Sequence, residues 1–233
     1  MDPLLASYLS LRYESGEEQK YLQGLEAQYL SAIESESYHM ALFAYHLLFM
    51  SFVYQTIHKI KIWFPDQFKL ALITFPTKER EEYLGATSPW AYSKIKERSI
   101  FGLLRLLENC DDLVAKCKTS IVDYRNEHLG HANPIIVGEE EFYKKVAEYD
   151  ALVNRIHKLT HTQLTRIFSE FVSAFDPADE LTKDDIELSL IIQNRCSDKD
   201  LECFAADCRT GEQLIHRKII DTLKDDFGIE IAQ

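Results

Sequence analysis

Apolar residues recur every three or four positions over most of the chain, and only 8 Gly and 6 Pro interrupt 233 residues. This spacing predicts helices rather than strands, so the chain reads as all-α, a multi-helix bundle. Ser15 with Glu18 has the form of a capping box and opens a helix that continues, with a break near Ser35, to about Phe64. Pro65 starts a short apolar helix, which Pro76 ends. Ser88 and Pro89 read as N-cap and first position of a helix reaching about Leu107. Residues 111–129 form a further helix, its end marked by Gly130 and Pro134. Residues 138 to about 175 read as one long helix with Tyr143, Val146, Leu152, Ile156, Leu164, Ile167 and Phe171 on its apolar faces, closed by Pro177.

Residues 37–58 contain no Asp, Glu, Lys or Arg. A membrane span wants about 20 predominantly apolar residues, whereas His39, His46, Ser51, Gln55, Thr56 and His58 interrupt this run. The preferred reading is a core helix, with 37–63 the most buried part of the bundle; a membrane crossing is the alternative. His39 and His46 are then expected to be core polar residues hydrogen-bonded to other helices.

The chain changes character after Pro177. Residues 176–202 hold nine carboxylates and three cations, yet Ile186, Leu188, Leu190, Ile191 and Ile192 are strongly apolar. An acidic C-terminal helical extension is therefore expected over 177–233, packed on the same domain as a bundle formed by 1–176. Thr182 with Asp185 and Thr210 with Gln213 look like helix starts.

Net charge is -12, which opposes nonspecific binding to nucleic acid, since the phosphate backbone needs cations. The least acidic stretch is 91–131, with seven Lys and Arg against six Asp and Glu. It tolerates a small RNA contact and gives no support for a long DNA groove. The cysteines, Cys110, Cys117, Cys196, Cys203 and Cys208, are odd in number and form no Cys-x-x-Cys pair. With no basic-then-apolar leader at the N-terminus, a reduced cytoplasmic setting is expected, with most thiols serving as small buried hydrophobes. His157 and His161 stand one helical turn apart, a spacing that suits a metal, but no third ligand is evident and no metal or other cofactor is expected.

The densest chemistry lies in residues 123–133, where Arg125, Asn126, Glu127, His128 and His131 meet at the end of the 111–129 helix. Arg pairs bidentately with phosphate oxygens, and His titrates near neutral pH and can move a proton. Val114, Cys117, Ile121, Tyr124 and His128 follow a 3-4-3-4 spacing that places them on one apolar stripe, so His128 reads as mainly structural. Arg125 lies one position off that stripe, able to keep its head in solvent or reach across an interface. The same residues also suit a simple C-cap, with cations at the negative end of the helix.

Arg125, polar Asn126 and, after five intervening residues, His131 resemble the signature of the HEPN superfamily, an Arg with a polar neighbour followed by His after four to six residues. The resemblance covers roughly residues 110–135. It implies an all-α bundle, a homodimer that brings two motifs into one cleft, and a metal-independent endoribonuclease acting as a toxin or antiviral effector on an RNA substrate. Arg125 and His131 would be catalytic, with Asn126, Glu127 and His128 in support. An antitoxin or other regulatory protein is an expected partner, although control by nucleotidyl transfer often uses a Tyr two residues after the His, where this chain has Asn133. The alternative is a catalytically silent HEPN-like helical adaptor, in keeping with the acidic total charge and extension.

Overall fold

The computed structural model describes residues 4–13, 15–108, 110–129, 136–175, 181–209 and 214–229. Gly130, His131, Asn133, Pro134, Pro177, Thr210 and Gln213, each given a part above, lie outside them. The described residues form helices and no strand, with one isolated bridge between Ser10 and Ser197, so the fold is all-α. The chain divides into two compact units, Met1–Ala6 with Tyr13–Leu159 and Ser7–Arg12 with Thr160–Gln233.

In the first unit α1 (Gly16–Glu34) begins where the Ser15 side chain accepts the Glu18 N–H at 3.3 Å. The Glu18 carboxylate accepts the Ser88 hydroxyl, tying this end to a later turn. The break near Ser35 is a left-handed turn. Glu36 has φ +56°, and the Glu36 and Ser37 N–H groups close back on the Ile33 and Ala32 carbonyls, an end at which glycine is the commoner occupant.

After this turn α2 (Tyr38–Trp63) runs through the core with almost every side from Ala41 to Ile60 buried. It is long and apolar enough to cross a membrane, but 78% of its most apolar window is buried against the rest of the fold. Some of its polar side chains are satisfied within the helix or across it, while Gln55 Nε2 and His58 Nδ1 are buried with no hydrogen-bond partner among the described residues. Ser51 and Thr56 donate to the Leu47 and Phe52 carbonyls one turn back, and His46 Nδ1 lies 2.9 Å from the Tyr149 hydroxyl. His39 is half-buried and its Nδ1 has no hydrogen-bond partner among the described residues, contrary to the expectation for it.

Pro65 opens α3 (Pro65–Ala71), and Thr77–Gly85 forms α4, an element the sequence pattern did not signal. The single helix expected over 89–107 is broken. Ser88 caps a 3-10 turn (Pro89–Lys94) by accepting the Trp90 N–H, and Ile95 and Lys96 are then extended, with ψ of 138° and 129°. α5 (Glu97–Ile100) and a 3-10 segment (Phe101–Leu106) follow. Two extended residues cannot continue the i to i−4 ladder, so the chain re-enters at Glu97 in a new direction.

The helix over 111–129 is present but not regular: α6 (Asp111–Lys116) passes into a π-helical stretch (Cys117–Asp123) and then α7 (Tyr124–His128). α8 (Glu139–Ser173) is the expected long helix. Within the first unit its inward residues are Phe142, Tyr149, Leu152, Val153 and Ile156, while Tyr143 is 47% exposed. Tyr149 meets Phe49 edge-on at 4.9 Å between ring centres, and Tyr45 at 5.8 Å. Burying each such ring contributes about 2 kcal/mol, so these contacts fix α8 against α2.

The second unit contains the end of α8, α9 (Lys183–Ile186) running into a π stretch (Glu187–Ile192), α10 (Asp198–Arg209) and α11 (Leu214–Phe227). Thr182 and Asp185 form the reciprocal capping box expected of them. Ser197 and the wholly buried Asp200 form a second one at the start of α10. Phe168 and Phe204 stack at 4.3 Å to close this core. Leu188 and Ile192, counted with the apolar run, are exposed. All five cysteines are free and only Cys203 is not buried; burial pushes the Cys117 and Cys208 thiols up to about 12, which suits packing rather than reactivity.

Candidate functional site

The π stretch decides where Arg125 goes. A π turn accommodates one more residue per turn than the α-helical ladder allows for, so residues beyond it are displaced around the axis from where a 3.6-residue period puts them. Val114, Cys117 and Ile121 are buried as the stripe predicts, and Val122 joins them. Tyr124 and His128, the next members of the predicted stripe, are only half-buried. Arg125 instead turns inward: its Nη2 lies 2.7 Å from Glu97 Oε1, and its side chain is 29% exposed.

The break before α5 presents Glu97 to that guanidinium. The Glu97 side chain is 16% exposed, and its Oε1 also lies 3.5 Å from His46 Nε2, at the outer limit of a hydrogen bond. The firmer bond of His46 is the one to Tyr149, 2.9 Å from its other nitrogen. Burial raises the Tyr149 hydroxyl well above its ordinary value, so it stays protonated and can donate to Nδ1. That leaves the Nε2–H of His46 to face Glu97. Burial pushes the Glu97 carboxyl up, but His46 and Arg125 outweigh it and hold the carboxyl below its ordinary value. Nearby, the Tyr54 hydroxyl is pushed up to about 12 by burial first and by Glu97 second.

Four elements thus meet in one polar chain: Tyr149 of α8, His46 of α2, Glu97 of α5 and Arg125 of α7. The chain is not saturated. Arg125 Nε and Glu97 Oε2 are buried with no hydrogen-bond partner among the described residues. The Arg125 side chain is still 29% exposed, and a guanidinium held in place is suited to an anionic oxygen brought from outside.

His128 stacks on Tyr124 at 4.1 Å between ring centres, the planes 5° apart, and its Nδ1 is 3.1 Å from the Tyr124 carbonyl. Tyr124 is itself held by Glu141 at 2.8 Å, with Lys145 Nζ 4.1 Å from the centre of its ring. His128 is therefore a rim residue locked by stacking rather than a core one. Asn126 is half-buried beside Arg125, and Glu127 is exposed. His131, the expected proton carrier, lies outside the described residues. Among those residues no group of three or more His, Cys, Asp or Glu is placed to hold a metal ion.

Arg125 was legible from its motif, whereas Glu97, His46 and Tyr149 were not read as parts of a site. His46 carried a weak signal, a titratable group in an otherwise apolar run. Glu97 and Tyr149 carried none, because their roles arise from the helix break and from the α2 and α8 packing. Comparison with known proteins yields no matching family model, curated protein or solved structure.

Proposed function

We propose that the protein is a metal-independent endoribonuclease of the HEPN type, acting in toxin or antiviral defence, with the composite site formed by two copies of the chain. The observation that carries this reading is Arg125 itself, a guanidinium fixed on Glu97 in a side chain that is still 29% exposed. A charge held in place before substrate arrives needs no reorganisation as phosphoryl charge develops. In the reaction, the RNA 2′-oxygen attacks the adjacent phosphorus while His131 takes the hydroxyl proton. The bond from phosphorus to the 5′-oxygen then breaks, that oxygen receives the proton carried by His131, and the products carry a 2′,3′-cyclic phosphate and a 5′-hydroxyl. Arg125 stabilises the non-bridging oxygens, Asn126 steadies the phosphate or the imidazole, and Glu97 with His46 positions Arg125.

The assay is cleavage of a mixed-sequence RNA in the presence of chelator. Arg125→Ala and His131→Ala are expected to lose cleavage, and His128→Ala to retain it with lowered stability. Cleavage that is unimpaired by His131→Ala, or strictly dependent on a divalent metal, would overturn the mechanism. One observation favours the second reading, a catalytically silent adaptor: Glu97 already neutralises Arg125 at 2.7 Å. That reading expects no cleavage by the wild type, with Arg125→Ala acting on stability alone.

A further inference from the structure

An open cleft of about 630 Å³ in the first unit is lined by Lys94, Lys96, Arg98, Arg105 and Lys118, with Phe75 on its apolar wall. These five cations are gathered in one cleft of a chain whose net charge is -12. Glu79 is the one carboxylate among its lining residues. Lys94, Arg98 and Arg105 pair with Glu82, Asp123 and Asp111, but none of those three acids lines the cleft. Lys96 and Lys118 take part in no ion pair among the described residues, and Lys96 is exposed. The volume falls within the range of ordinary ligand clefts, about 300–1,000 Å³.

We propose that this cleft binds the phosphodiester backbone of a single RNA strand, with Lys96 and Lys118 as phosphate contacts and Phe75 as a surface for a base. The proposal rests on the ribonuclease reading for the identity of the strand. Two features connect it to the Arg125 site. Lys96 and Arg98 flank Glu97, the carboxylate that holds Arg125. Arg98 is also paired with Asp123, at the end of the π stretch from which α7 and Arg125 continue. A strand lying in the cleft is thus bound by the same elements that position the guanidinium. Phosphate contacts of this kind fix register and carry affinity, while ring stacking tolerates any base. This reconciles an acidic protein with an RNA substrate, since the cations needed are gathered in one place.

The test is binding of a fluorescent 2′-O-methyl oligouridylate 12-mer, which lacks the attacking hydroxyl, to the full chain over a range of salt concentrations. Lys96→Ala with Lys118→Ala is expected to weaken binding at least 10-fold at low salt. The slope of log Kd against log salt should flatten by about 1.4, since each phosphate contact on a single strand contributes about 0.7. The control pair Lys20→Ala with Lys224→Ala, on exposed positions that do not line the cleft, should change neither. Unchanged binding by the cleft variant would overturn the proposal. So would uridine monophosphate binding as tightly as the 12-mer, or oligoglutamate of equal charge competing as well. Cleavage of RNA that is indifferent to both lysines would remove the cleft and leave the ribonuclease reading standing. Binding that depends on Lys96 and Lys118, without cleavage of ordinary RNA, would keep the cleft and remove the ribonuclease.

Discussion

Glu97 is ionised because Arg125 and His46 face it, and each of the three depends on the others. Removing one partner of a mostly buried charge pair leaves the other uncompensated, so Arg125→Ala should destabilise the fold by about 2–4 kcal/mol in urea titration. Glu97→Gln keeps an acceptor for the guanidinium and should cost less, about 1–2 kcal/mol. The Glu97 carboxyl is lowered on folding, so its contribution is complete above the ordinary glutamate range and is lost as pH falls through the lowered value. Glu97→Gln should remove that part of the acid sensitivity; an unchanged acid profile would show that the pair contributes nothing measurable. At this scale the sequence singled out Arg125 as a candidate, since Arg followed by a polar residue and a spaced His is a local pattern. It did not reveal the partners. Glu97, His46 and Tyr149 meet Arg125 through packing, which spacing along the chain does not encode.

Two departures from regular helix position the site, and both lie where periodicity alone misleads. The extended pair Ile95 and Lys96 re-aims α5 so that Glu97 faces inward, and the π stretch turns Arg125 towards it. A π bulge behaves as one residue inserted into an α-helix. Deleting exposed Thr119 should therefore restore a regular helix while leaving Arg125 facing Glu97, with cleavage retained. Adding a residue after Asp123 should instead rotate Arg125 by about 100° and abolish cleavage; the reverse outcome would refute the role given to the bulge. The long elements α1, α2 and α8 were legible, since their apolar periods are sustained and Ser15 and Pro65 mark two of their ends. Within α2, burial lowers His58 to about 4, with Lys61 adding to the effect. The unfolded chain takes up a proton at His58 near its ordinary value of 6.5 and the folded chain only near 4. Stability from this site is thus present above 6.5 and lost as pH falls towards 4, by at most about 3 kcal/mol. His58→Leu should flatten thermal stability across that interval, and an identical slope in the variant would contradict the assignment.

The chain is acidic yet carries a cationic cleft, and its two compact units divide within α8, between Leu159 and Thr160. The all-α class was readable from the hydrophobic period, but where the chain divides depends on which contacts form across turns, and composition did not signal a boundary inside a continuous helix. A composite site requires two chains, so light scattering should give the mass of a homodimer. A monomer at high concentration would count against pairing of the motifs. The central claim is narrower than any of these, that Arg125 acts on the phosphate of RNA without a metal. It is tested most directly by the end groups of RNA incubated with the protein in excess chelator, comparing the wild type with Arg125→Lys, which keeps the charge and loses the bidentate fork. The account predicts 2′,3′-cyclic phosphate and 5′-hydroxyl ends from the wild type and none from the variant. No cleavage by the wild type, different end groups, or equal cleavage by Arg125→Lys would contradict it.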